Sequence, residues 1–104
     1  MRIERKESAI EKKFAAACKA KGWAVRKLSY PGRAGAPDRI VYARFPVVAL
    51  AELKRPGERP DPLQEAEHRA LDALDHVVQV VRTEEDINRF VSWVLWLEET
   101  YATP

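Results

Sequence analysis

Apolar positions along the chain recur at two spacings, every 3.6 residues and every second residue, and the switches between them lay out the elements. From Ile3 to Lys21 the residues Ile3, Ile10, Phe14, Ala17 and Cys18 share one helical face, and Gly22 stands where a glycine commonly ends a helix. Trp23 to Tyr30 is rich in aromatic and branched side chains and predicts a strand, ended by the breaker-rich run Pro31-Gly32-Arg33-Ala34-Gly35-Ala36-Pro37. Strands two and three are predicted over Asp38 to Ala43 and Val47 to Lys54, joined by the turn Arg44-Phe45-Pro46. The loop Arg55 to Pro60 leads into Asp61-Pro62, an N-cap residue and a first-turn proline, so helix two runs from there to about Asp75. His76 to Arg82, with Val77, Val78, Val80 and Val81, is the fourth strand, and Thr83 with Asp86 three residues on caps a last helix striped by Ile87, Phe90, Val91 and Val94. The order α-β-β-β-α-β-α predicts an α/β fold with a central mixed sheet flanked by helices. With no internal repeat and no dividing linker, residues 1–104 are expected to form one domain.

The chain has 104 residues, 46% hydrophobic and 33% charged, with no apolar run near the ~20 residues that cross a bilayer. That composition excludes a disordered chain, a collagen-like chain and a membrane partner. The charged start MRIERKESAIEKK lacks the apolar core of a signal peptide, and a single cysteine cannot close an internal disulfide, so an intracellular, reducing compartment is expected. The net charge of +2 conceals an asymmetry: residues 1–33 hold ten Lys/Arg against three Glu, residues 34–60 five against three acids, and residues 61–104 three against ten. A basic amino half with an acidic back is common among nucleic-acid binders; solvated helix faces are the alternative.

The candidate chemistry gathers at the second and third strands. Asp38 opens strand two directly after the Gly/Pro loop, and Glu52-Leu53-Lys54 closes strand three. Side chains alternate along a strand, so Glu52 and Lys54 share a face while Leu53 points to the other, into the core. A carboxylate pair from adjacent strands suits Mg²⁺, which takes few protein carboxylates and keeps waters and phosphate oxygens. Such an ion lowers the pKa of a bound water and neutralises charge developing on a phosphate. Lys54 adds an ammonium to hold the attacking water or the scissile phosphate; an ordinary salt bridge to Glu52 or Asp38 is the plainer reading. On helix one, Glu7 projects into the middle of the apolar stripe and Glu11 to its edge, where a carboxylate is costly unless paired, for instance with Lys27, or metal-bound. Gln64 either completes a capping box with Asp61 or reaches a phosphate or water from helix two. His68 and His76 have no partner at metal-ligand spacing and read as solvent or core residues, and Cys18 reads as a small apolar group. The absence of a nucleophile elbow, a P-loop and a cysteine pair leaves acyl transfer, nucleotide hydrolysis and zinc chemistry without support.

Pro37-Asp38 followed by Glu52-Leu53-Lys54 resembles the signature of the PD-(D/E)XK nucleases. More narrowly, Gly35-Ala36-Pro37-Asp38-Arg39, Glu52-Leu53-Lys54-Arg55-Pro56-Gly57, Pro60 and Gln64 resemble the VRR-NUC family in its small stand-alone phage and bacterial form. Glu7-Ser8-Ala9-Ile10-Glu11 before them and Val80-Val81-Arg82-Thr83-Glu84-Glu85-Asp86 after them extend the resemblance over most of the chain. It implies a restriction-endonuclease-like core and divalent-metal-dependent hydrolysis of phosphodiester bonds in branched DNA. By that likeness Asp38 and Glu52 hold Mg²⁺ or Mn²⁺ with the Leu53 carbonyl as a further ligand, and Lys54 is the catalytic lysine. Glu11 or Glu7 joins from helix one, and Gln64 matches the family's glutamine on the helix after the catalytic strand. Arg33, Arg39, Arg55 and Arg59, with Lys27, flank the site where they touch DNA phosphates, loop solubility being the alternative.

Small members of the family are associated with Holliday-junction cleavage as dimers, and a twofold homodimer supplies the two related cuts that a four-way junction needs. Flap or duplex cleavage by the same core, and binding of branched DNA without turnover, are the rival expectations. Trp96 projects opposite the Ile87/Val94 stripe and Trp93 flanks it, which leaves the last helix apolar on two sides, as a dimer interface requires. Burial of Trp96 under the chain end near Tyr101 is the alternative.

Overall fold

The computed structural model describes residues 8–104. Their elements run α1 (Ala9–Ala20), β1 (Ala24–Lys27), β2 (Arg39–Tyr42), β3 (Val48–Leu53), α2 (Pro62–Asp72), β4 (Val78–Val81) and α3 (Glu84–Tyr101). The strands lie in the order β1-β2-β3-β4, the first two pairings antiparallel and the third parallel. This is the mixed α/β sheet that the alternating periods predict, with α2 as the crossover that a parallel pair requires. Among the described residues no helix is long and apolar enough to cross a membrane.

Local side-chain chemistry sets the element ends. Ser8 is extended and its hydroxyl accepts the Glu11 N–H at 3.2 Å, so α1 starts at Ala9 and the helix predicted from Ile3 does not run through this position. Ile3 and Glu7 lie outside the described residues. Asp61 with Gln64 and Thr83 with Asp86 form capping boxes on α2 and α3, and Asp86 Oδ2 also accepts the Arg82 N–H at 2.9 Å. Helix α2 ends at Asp72, short of Asp75, because Asp75 adopts φ 64 and the His76 N–H turns back to the Leu71 carbonyl at 2.9 Å. The same turn delays β4 to Val78.

One sheet face carries the core. Val41, Ala49, Ala51, Leu53 and Val81 are buried against Phe14 and Cys18 of α1 and Ile87, Phe90 and Val94 of α3. The Phe14 and Phe90 rings meet with centroids 5.0 Å apart. Burial pushes the Cys18 thiol up to about 12, so it packs as an apolar group. Alternation turns Ile40, Leu50 and Glu52 to the opposite face, where α2 brings Leu71 beside Ile40 and Leu50.

The loop before β2 is clamped onto α2. Arg33 Nη2 meets Glu67 Oε1 at 2.9 Å, and Tyr30 with Arg33 holds the Glu67 carboxyl below the usual carboxylate range. Tyr30, predicted as strand, lies in this loop, and β1 ends at Lys27. Gly35 has φ 96, and a Cβ there would stand 2.6 Å from the Leu63 carbonyl oxygen. Gly35→Ala therefore combines a left-handed backbone with a clash against backbone, and is expected to cost about 2–4 kcal/mol, read as a lower urea midpoint. An unchanged midpoint would show that the loop is not seated on α2.

Candidate active site

Asp38 ends the clamped loop and leads into β2. Its Oδ2 accepts the Leu53 N–H at 2.9 Å, and one step beyond the Arg39–Ala51 pair the antiparallel register faces it toward Glu52. Glu52 is 0% exposed, and neither of its carboxyl oxygens has a hydrogen-bond partner among the described residues. Burial first, then the neighbouring Asp38 carboxyl and its charge, push the Glu52 carboxyl up to about 8, against the pull of the Lys54 ammonium. A buried carboxylate without donors is costly, and a second carboxylate beside it makes it costlier.

These groups fit a hard divalent cation. Two carboxylates from neighbouring strands and the Leu53 carbonyl are oxygen donors only, the set that Mg²⁺ or Mn²⁺ takes. Among the described residues no group of three or more His, Cys, Asp or Glu side chains is placed to hold a metal. The described residues thus offer a small carboxylate set, and Mg²⁺ ordinarily completes its shell with water and phosphate oxygens.

Lys54 follows directly after β3, which ends one residue short of the predicted Lys54, and its backbone N–H donates to the Val81 carbonyl at 3.0 Å. The plainer salt bridge to Glu52 or Asp38 is not formed: among the described residues no carboxylate lies within 4.0 Å of its Nζ. Around it, Glu11, Lys27, Asp38, Leu53 and Arg55 line a depression of about 550 Å³. The structure thus brings these candidate residues together, with Glu52 buried beside Asp38.

Three expectations need correction or narrowing. Arg39 does not stand out toward DNA: its side chain is 11% exposed, and it donates to Glu11 Oε2 and to the Asp38 carbonyl, each at 3.1 Å. It ties α1 to β2 at the foot of Asp38, and it replaces Lys27 as the partner of Glu11. Gln64 Oε1 accepts the Asp61 N–H at 3.0 Å in the capping box, and the residue does not line the depression. Glu7 lies outside the described residues. Arg33 sits away from the depression on Glu67, while Arg55, Arg59 and Lys27 are exposed at its rim or on the adjoining loop.

His68 was not read from the sequence as a site residue. Its Nε2 is buried with no partner among the described residues, and the charges of Asp38 and Lys54 both act on it. Burial, the largest influence, holds its pKa below the ordinary histidine value, against the pull of Glu65, Asp38 and Glu67. The available signal was spacing: Gln64, His68 and Leu71 fall at i, i+4 and i+7, one stripe of α2.

No family model matches the chain. A candidate nuclease, p44, of Acyrthosiphon pisum secondary endosymbiont phage 1 is 39% identical over 85 residues, covering 82% of this chain and 90% of that protein. A solved VRR-NUC domain superimposes with a TM-score of 0.75 at 33% identity, covering 80% of this chain and 90% of that one. Likeness of sequence and of fold coincide over the stretch that holds Asp38, Glu52 and Lys54, and the chain belongs to the VRR-NUC family of nucleases.

Proposed function

We propose that the chain is a divalent-metal-dependent, structure-selective DNA endonuclease that cuts four-way junctions as a homodimer, with Asp38, Glu52, Leu53, Lys54 and Glu11 as its active site. The observation that carries the reading is the Glu52 carboxyl, fully buried without a partner among the described residues beside Asp38 and within reach of the Lys54 charge. Asp38, Glu52 and the Leu53 carbonyl would hold Mg²⁺ or Mn²⁺, with Glu11 at the rim. When bound, the cation lowers the pKa of a water and neutralises charge on the phosphate.

The chain's own residues do the rest. The Leu53 N–H fixes the Asp38 carboxylate against β3. Arg39 holds Glu11 at the edge of the depression. Lys54 donates to the attacking water or to a non-bridging phosphate oxygen, and its charge counts most in the transition state, where the phosphate is most negative. Lys27, Arg55 and Arg59 present exposed charge to the DNA backbone, and Arg33 does so from the loop on α2. Phosphate contacts of this kind position a duplex without reading sequence, which suits recognition by shape. Gln64 acts through the helix start that it caps.

A second copy finds an apolar groove between the β2–β3 surface, the end of α2 and α3. Ile40, Val48, Leu50, Leu71, Trp93 and Tyr101 line a groove of about 630 Å³. Trp96 packs edge-on against Tyr101, yet 53% and 59% of the two residues stay exposed. A twofold dimer over this surface repeats the active site, and a junction then receives paired cuts.

The test is cleavage of a labelled four-way junction, a flap and a matched linear duplex in Mg²⁺, Mn²⁺ and EDTA. Paired symmetric cuts confined to the junction, absent in EDTA, are expected. Cutting of flap or duplex alone would keep the chemistry and discard the junction. Tight junction binding without product under either metal would replace the enzyme with a binding module.

A further inference from the structure

We propose that His68 is a further residue of this active site, a positioning residue whose Nε2 hydrogen-bonds to water held by the Asp38–Glu52 pair. The inference rests on the reading of that pair as the metal-holding site. Among the described residues, the buried side-chain polar atoms that lack a partner are the two carboxyl oxygens of Glu52 and Nε2 of His68. Leaving such an atom unsatisfied costs about 1–3 kcal/mol, and each one calls for an ordered water, an ion or a catalytic role.

The fold sets the two residues on facing surfaces. Leu50 and Glu52 alternate onto the sheet face toward which α2 packs beside β4, and Leu71 of α2 lines the same groove as Leu50 and Ile40. Glu52 lies two residues beyond Leu50 along β3, and His68 lies one turn before Leu71 on the same helix face. The electrostatic surroundings are shared, since Asp38 and Lys54 act on both side chains. Helix α2 is held in place by the Gly35 contact with Leu63 and by the Arg33–Glu67 ion pair next to His68.

A neutral imidazole carries one donor and one acceptor nitrogen, so Nε2 meets a water in either tautomer. One water between Nε2 and Glu52 supplies a partner to the histidine and to the carboxyl together. With a cation held by Asp38 and Glu52, Nε2 would orient water beside it, the outer-shell role whose loss typically weakens metal affinity by about 10–100-fold.

Histidine-selective ¹⁵N labelling gives a direct readout, because the chain holds 2 histidines and the other, His76, is exposed. The Nε2 resonance of His68 is expected to move saturably with Mg²⁺ in the wild type and to stay still in Glu52→Gln, with His76 unmoved in both. In Mn²⁺ calorimetry His68→Leu is expected to bind about tenfold more weakly or worse, while His68→Gln, whose amide reaches the Nε2 position, recovers most of the affinity. A His68 resonance blind to Mg²⁺, with His68→Leu binding Mn²⁺ like the wild type and Glu52→Gln not binding it, would make His68 a packing residue beside an intact metal site. A wild type that binds neither ion, or a Glu52→Gln protein that binds both as well as the wild type, would overturn the metal reading and this inference with it.

Discussion

Glu52→Gln is expected to abolish cleavage and, in EDTA, to give a protein more stable than the wild type. The glutamine keeps the side chain's shape, removes a charge that is fully buried without a partner, and gives Asp38 an amide donor. The sign follows from linkage. Folding raises the Glu52 pKa from 4.5 to about 8, so the contribution of this group to stability is fully present below 4.5 and is lost as pH rises through about 8. The wild type therefore carries most of the penalty from this group by pH 8, on the order of 2–3 kcal/mol, and little of that penalty remains at pH 5. Thermal melts in EDTA should place Glu52→Gln roughly 10 °C above the wild type at pH 8, with the two converging at pH 5. Adding Mg²⁺ should narrow the gap at pH 8, since a ligand that binds the folded wild type alone stabilises it. The same substitution removes a metal oxygen, and cleavage should fall by at least about 10²–10³. Equal melting of the two proteins at pH 8 would refute the burial argument, and retained cleavage would refute the site.

What the sequence made legible is what lies close along the chain. The capping boxes at Asp61/Gln64 and Thr83/Asp86 pair residues three apart, and Glu52 and Lys54 stand two apart at the end of β3. Asp38 could be set beside Glu52 because a short turn joins β2 to β3 and confines the register. The remainder depends on packing between distant segments. Arg39 has the look of a loop-edge cation, and only the approach of α1, 28 residues earlier, turns it onto Glu11. Gly35 reads as a generic turn glycine until α2 brings the Leu63 carbonyl against it. Tyr30 has the composition of a strand, yet it falls in the loop that the Arg33–Glu67 ion pair ties to α2. For His68 the helical stripe was visible, but not which sheet face the α2 crossover would cover.

Lys54→Ala should separate rate from everything else. A single positioned charge acting on a phosphoryl transition state is worth about 10²–10³ in rate, and a fall of that size in junction cleavage is expected at saturating metal. Stability should change by less than about 1 kcal/mol: the ammonium forms no ion pair with a described carboxylate, and alanine keeps the N–H that donates to Val81. Metal affinity should hold or rise slightly, because a cation leaves the neighbourhood of the Asp38–Glu52 pair. Lys54→Arg should recover only part of the rate, since a planar guanidinium fork does not place its charge where a compact ammonium does. Measured side by side, the two ends of the Glu-Leu-Lys run then diverge. Glu52→Gln loses metal and gains stability, whereas Lys54→Ala keeps metal and stability and loses rate. Full cleavage by Lys54→Ala would remove the lysine from the mechanism, and a loss of metal binding in the same variant would make it a structural support for the carboxylates instead of a group that meets the phosphate.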